Sequence, residues 1–244
     1  MSNVVVIPGD SYTLKGRVYG KVNDSHPKPA ILFLSGWNPG KQSWTTNDIH
    51  ATYCALKSDI LCMTIALRGM GSAGDLKTLT RADFLKDIIT GYDYLTEVDG
   101  VDKTRISVAG ESFGAYMACI LSTKRAVKSI ALRVPTDFPN AGFDNTPQEK
   151  FAGLLSQEWK MQEHHFTESR ALQGLHDFQG NILVVASERD EIVPYQTTKN
   201  YLNAIRESAK IKYHLMTGIG HALINPIKLY QFMRFQTEWL HLNI

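Results

Sequence analysis

Apolar residues in this chain gather in short runs broken by polar, glycine-containing turns. Residues 4–7 and 14–22 read as early strands, the second alternating in part, as in a half-exposed antiparallel pair. Residues 30–34 form a continuous apolar run that ends in Ser35-Gly36, the pattern of a buried strand followed by a turn. A helix over about 48–56 and a strand over 60–67 follow. Phe84, Leu85, Ile88, Ile89, Tyr92 and Leu95 then recur at three- and four-residue steps, giving one apolar helical face. Residues 106–109, 127–134, 182–186 and 211–216 are strand-like. Helices are predicted after residue 114, over about 195–207 and over about 227–240. Strands alternating with helices predict an α/β fold: a mostly parallel twisted sheet covered on both faces.

Residues 136–179 break this rhythm. They hold no strand pattern but carry Phe138, Phe143, Phe151, Trp159 and Phe166. A stretch of that length in a compact domain predicts a small helical cap over the sheet edge, with a plain covering crossover as the alternative. The chain then reads as a single domain over 1–244 with a cap at about 136–179.

Composition narrows the classes. At 244 residues, 43% hydrophobic and 20% charged, the chain can build a substantial core. Its net charge of +2 is small and its lysines and arginines are scattered, which argues against nucleic-acid partners and an acidic membrane surface. The first ten residues lack a basic flank and apolar core, so no signal peptide is expected. Cys54, Cys62 and Cys119 are odd in number and lack metal-like spacing. Cys62 and Cys119 are expected to be buried apolar fillers, and a cytoplasmic location is expected.

The candidate chemistry centres on Gly110-Glu111-Ser112-Phe113-Gly114, set between a strand pattern and a helix pattern. A G-x-S-x-G there predicts a nucleophile elbow, a turn so tight that glycines must flank the serine. Serine needs a base, and the base an orienting group. His221, in the glycine-rich loop after the last strand, is the candidate base. Histidines 26, 50, 164, 165, 176, 214 and 241 fall on helices, in a strand, in loops or in the insertion. Asp190 in Ser187-Glu188-Arg189-Asp190-Glu191-Ile192-Val193-Pro194 is the candidate acid, while Glu188 and Glu191 are expected to be solvated or bonded to loop amides. The order Ser, Asp, His differs from both protease orders. The backbone N–H groups of Trp37 and Phe113 are the expected oxyanion donors, each worth about 3 kcal/mol of transition-state stabilisation.

Gly110 to Gly114, Asp190 to Pro194 and Gly220-His221 together resemble the α/β-hydrolase serine hydrolases of the dienelactone-hydrolase and prolyl-oligopeptidase-like branch, small esterases with short caps included. Arg68-Gly69-Met70-Gly71-Ser72 resembles a loop found after the fourth strand in many relatives. Ser35 stands where many carry histidine, and Leu67 where aspartate often precedes the arginine; both departures bear on the substrate. The resemblance implies a carboxylesterase that forms an acyl-enzyme, acts on small to medium apolar ester substrates and needs no cofactor or metal. Phe138, Phe143 and Trp159 are expected to line its pocket. A thioesterase, an acyl-peptide hydrolase or amidase, and a non-catalytic ligand-binding protein of this fold are the alternatives. Gly69-Met70-Gly71-Ser72-Ala73-Gly74 matches a dinucleotide fingerprint formally, but no helix pattern begins within it.

Overall fold

The computed structural model describes residues 2–21, 26–39, 45–151 and 154–244. Val22, expected at the end of the second strand, lies outside them. Eight strands form one sheet: β1 (Ser2–Pro8), β2 (Thr13–Tyr19), β3 (Lys28–Leu34), β4 (Leu61–Ala66), β5 (Val101–Glu111), β6 (Ser129–Arg133), β7 (Asn181–Ser187) and β8 (Ile211–Met216), in the order β1-β2-β4-β3-β5-β6-β7-β8. β2 pairs antiparallel with β1 and β4, and from β4 onward every pairing is parallel.

The uninterrupted apolar runs of the central strands serve two cores. Leu32, Leu34 and Val184 point to the face covered by α2 (Arg81–Thr96), α3 (Phe113–Leu121) and α5 (Arg170–Asp177), with Phe84, Ile88, Tyr116 and Leu172. Ile31, Phe33, Leu183 and Val185 point to the opposite face, with Ala51 of α1 (Thr45–Lys57) and Trp239 and Leu240 of α7 (Pro226–Asn243). Strand pleating alone sends neighbours to opposite sides, so a strand buried on both faces needs an apolar residue at every position.

The turn after β4 is a packing device. Arg68 donates from its backbone and from Nε to the buried carboxylate of Asp87 on α2, at 2.9 and 2.7 Å, and covers the ring of Tyr12 at 4.1 Å. Gly69 and Gly71 hold positive φ of 70° and 124° there. The formal dinucleotide motif is therefore a turn clamped to a carboxylate, and α2 begins beyond it, at a Thr80/Asp83 capping box.

Residues 134–180 carry two 3₁₀ turns (Gln148–Phe151 and Phe166–Glu168), α4 (Leu154–Lys160) and α5, with no strand among the described residues. α5 packs on α3, where Gly174 lies so close to the Cys119 carbonyl that an added Cβ would stand 2.3 Å from it. This part of the segment is a covering crossover. α4 instead reaches the loop after β7, Gln157 Nε2 donating to the Ile192 carbonyl at 3.0 Å. α6 (Tyr195–Ala204) then leads to β8. The three cysteines are free and buried. No described helix is long and apolar enough to cross a membrane.

The elbow is closed by backbone contact. A Cβ on Gly114 would stand 2.2 Å from the Leu34 carbonyl oxygen, and one on Gly110 would stand 2.4 Å from the Gly114 carbonyl oxygen. Neither neighbour is a side chain that can swing away. Gly114→Ala should destabilise the chain by about 3 kcal/mol or more, because the clash falls on main chain. Thermal unfolding checks this, and a melting temperature within a degree of wild type would contradict the contact.

Candidate active site

Ser112 follows β5 and precedes α3 at φ 52°, ψ −112°. Among the described residues only Ser112 and Val134 are non-glycine residues at positive φ, and they stand at the ends of adjacent strands. Backbone strain of this kind persists only where the surroundings over-determine it. Here the Ser112 amide donates to the Arg133 carbonyl at 2.9 Å, and the Ser112 carbonyl accepts the Ala115 and Tyr116 amides, each at 3.1 Å. Ser112 is 9% exposed.

The loop after β3 runs beside it. A Cβ added to Gly36 would stand 3.3 Å from Ser112 Cβ and 4.0 Å from its Oγ, so glycine leaves room for the hydroxyl. Trp37 follows, its ring edge-on to Phe84 at 5.5 Å and to Phe113 at 5.6 Å. That packing anchors the residues bearing the two expected oxyanion amides to each other.

His221 lies in the loop after β8. Its Nδ1 is 2.9 Å from both carboxylate oxygens of Asp190. An ionised carboxylate only accepts, so Nδ1 is the donor of this contact, and in a neutral imidazole that leaves Nε2 as the acceptor. Asp190 Oδ1 also accepts the Ile192 and Val193 amides, at 3.0 and 2.8 Å. The two neighbouring acids bind amides of the histidine loop: Glu188 takes the Gly218 N–H at 2.7 Å and Glu191 the His221 N–H at 2.9 Å. A Cβ at Gly220 would stand 2.6 Å from Glu191 Oε2, so a side chain there would displace that carboxylate. No hydrogen bond joins Ser112 Oγ to His221 among those of the described residues. Bonds of this type are often long without substrate and shorten in the reacting complex.

The residues expected to line a pocket behave differently from one another. Phe143 is 1% exposed and lies beneath the guanidinium groups of Arg81 and Arg170, at 5.5 and 3.9 Å. Phe138 is 4% exposed, against Tyr116 at 5.0 Å and Phe113 at 6.2 Å. Both fill the core, and the expectation that they line an open pocket is corrected to that extent. Trp159 on α4 is half-buried, donates to Asp137 at 2.9 Å and stacks on His164 at 3.5 Å.

Several charged residues here drew no notice in the sequence. Arg133 is 1% exposed and bonds Glu111 and the His221 carbonyl. Asp137 is fully buried and accepts from Ser169, Trp159 and the Phe138 amide, yet burial pushes it up to about 6. Lys160 is buried against Phe138; burial lowers its ammonium pKa, and the charges of Asp190 and Asp137 offset part of that effect. A charged residue at the end of an apolar strand pattern was the available signal for Arg133. Asp137 and Lys160 gave none, because nothing in the insertion's sequence marks which positions are buried.

A model of the prolyl oligopeptidase family matches residues 50–244. The bem46 protein of Schizosaccharomyces pombe is 25% identical over 223 residues, which cover 87% of this chain and 68% of that protein. Among solved structures, DcsB in complex with its substrate analogue superposes with a TM-score of 0.76 at 14% identity, covering all of both chains. Est1E from Butyrivibrio proteoclasticus with ferulic acid bound gives a TM-score of 0.74 at 16% identity, covering 98% of each. The structural likenesses are likenesses of fold, and they agree with the α/β-hydrolase sheet described above.

Two measurements follow from the site. Ser112→Gly relieves the strained φ and should raise stability by about 1 kcal/mol, the relief exceeding glycine's entropic cost; an unchanged or lower melting temperature would show that the serine is not strained. Asp137 has an ordinary value of 3.8 raised to about 6. Between those values the folded chain holds a proton that the unfolded chain has lost. Stability from this group is therefore fully present at low pH, falls as pH rises through the window and is level above it. Asp137→Asn should remove that fall, changing the wild-type-minus-variant stability difference by up to about 3 kcal/mol between about pH 4 and 6.5. Urea unfolding at several pH values tests this, and a constant difference would refute it.

Proposed function

The chain belongs to the prolyl oligopeptidase family and is a serine-type hydrolase of the α/β-hydrolase fold; from that premise we propose that it cleaves carboxylic esters through an acyl-enzyme. In this reading Ser112 attacks the ester carbonyl while His221 Nε2 takes its proton. Asp190 holds the imidazole in the tautomer that leaves Nε2 basic and stabilises the imidazolium that follows. The N–H groups of Trp37 and Phe113 receive the developing oxyanion. His221 returns its proton to the departing alcohol, then activates a water that releases the acid and restores Ser112.

The observation that carries the reading is the His221–Asp190 pair, its Nδ1 shared between both carboxylate oxygens, together with a strained serine on its elbow at the ends of the same parallel strands. No step calls on a metal or organic cofactor. Within the segment expected at about 136–179 to form a cap, α4 serves as the cap element, with Trp159 the side chain offered to substrate. The half-buried ring of Trp37, next to the glycine that faces Ser112, suits a small to medium apolar acyl or alcohol group. An ester fits the bound ferulic acid of Est1E, which is a carboxylic acid and so has the chemical class of an ester's hydrolysis product. Thioesters and amides could use the same machinery.

A fluorophosphonate probe should label the wild-type chain and leave Ser112→Ala unlabelled. Nitrophenyl esters of increasing acyl length should show turnover that falls by about 10³-fold or more in Ser112→Ala and in His221→Ala. Labelling that persists in Ser112→Ala would remove that serine from the mechanism. Saturable ester binding with no acyl-enzyme mass shift would favour a non-catalytic binding protein instead.

A further inference from the structure

The proposed base stands on a loop with little packing of its own. Among residues 217–225 only Ile219 is buried, and Gly218 turns at φ 71°. Polar ties therefore decide where His221 sits. Asp190 takes its ring, and Glu191, which is exposed, takes its amide. Its carbonyl accepts from Arg133 Nη2 at 2.6 Å.

Arg133 differs from the other ties. It is 1% exposed at the end of β6, and its Nη1 donates to Glu111, the residue immediately before Ser112. Its own carbonyl accepts the Ser112 amide at 2.9 Å. One buried residue thus bonds the backbone of both Ser112 and His221, and the side chain next to the serine as well. The Phe232 ring lies 5.5 Å from the guanidinium. Immediately after it, Val134 turns at φ 40°, a conformation costly for a β-branched residue, and its amide is held by the Val185 carbonyl at 2.8 Å. The strand end that carries the guanidinium is therefore pinned rather than free to relax.

We infer that Arg133 is a positioning residue which sets the separation of Ser112 and His221 through its bonds to the Glu111 carboxylate and the His221 carbonyl. This rests on the Ser112–His221 reading above. A planar guanidinium can serve two acceptors at fixed directions, whereas a lysine ammonium at the end of a flexible chain makes one such bond dependably. An apolar side chain would fill this strand position without the cost of desolvating a cation, so a buried arginine beside one carboxylate calls for a use beyond packing. Glu111, at the variable position of the elbow motif, is its fixed partner rather than a group facing substrate.

The test compares Arg133→Met and Arg133→Lys, each in the wild-type and His221→Ala backgrounds, by ester kinetics and by fluorophosphonate labelling rate. In the wild-type background both variants should lower kcat by about 10–10²-fold with KM within about twofold, as expected for a misplaced catalytic group. In His221→Ala, where no imidazole remains to be placed, the same substitutions should change the residual rate by less than about twofold. Losses that multiply in the double variants would make Arg133 a general support of the fold, and activity within twofold of wild type in the single variants would also overturn the inference. Should Arg133→Met fail to fold, Arg133→Lys, which keeps a cation beside Glu111, carries the comparison. A wild-type chain that the probe does not label would sink the triad reading and this inference together, whereas a labelled wild type with unaffected Arg133 variants would sink this inference alone.

Discussion

At Ser112 the chain leaves strand β5 and enters helix α3 within a single residue, in a backbone conformation that L-residues rarely adopt. Everything around the site is arranged to hold that turn. Gly114 lets α3 come into contact with the end of β3, and Gly110 lets the helix fold back over its own strand. The all-buried helix α3 locks the turn from one side, while the Arg133 carbonyl locks the serine amide from the other. A less crowded junction would relax, because a strained φ has no means of persisting by itself.

The opposite side of the site is built on a different principle. The loop that carries His221 is short of apolar contacts, and polar groups hold it in their place. Three acids on one loop after β7 divide the work: Glu188 and Glu191 bind amides of the histidine loop, and Asp190 binds the ring. Arg133 adds the buried tie. The site thus joins a rigid, packed half to a half fastened by charge-assisted hydrogen bonds, which are directional enough to hold an imidazole.

The segment between β6 and β7 divides its tasks along its length. α5 is a crossover that covers the sheet, as Gly174 against Cys119 shows. α4 lies beside the loop after β7, and Asp137 ties both parts to the sheet edge by accepting from Trp159 on α4 and from Ser169 at the start of α5. Burial lifts that carboxylate to about 6 although these donors pull it the other way. The aromatic residues scattered through the segment accordingly differ in burial, Phe138 and Phe143 joining the core and Trp159 staying half-buried.

Much of this was legible in the residues themselves. Uninterrupted apolar runs gave the central strands, three- and four-residue recurrence gave α2, and glycines around a serine between such runs gave the elbow. Those signals are local: pleat, helical pitch and allowed φ are properties of a few consecutive residues. The exact ends were less clear, as at β6, which stops at Arg133 because Val134 turns left-handed. The loop after β7 also marked Asp190 as the acid that meets His221, but which aromatic rings sink into the core, and that Arg133 spans the backbones of serine and histidine, could be decided only by the folded chain. Those facts depend on burial and on distances between segments far apart in sequence, and neither spacing nor composition encodes them.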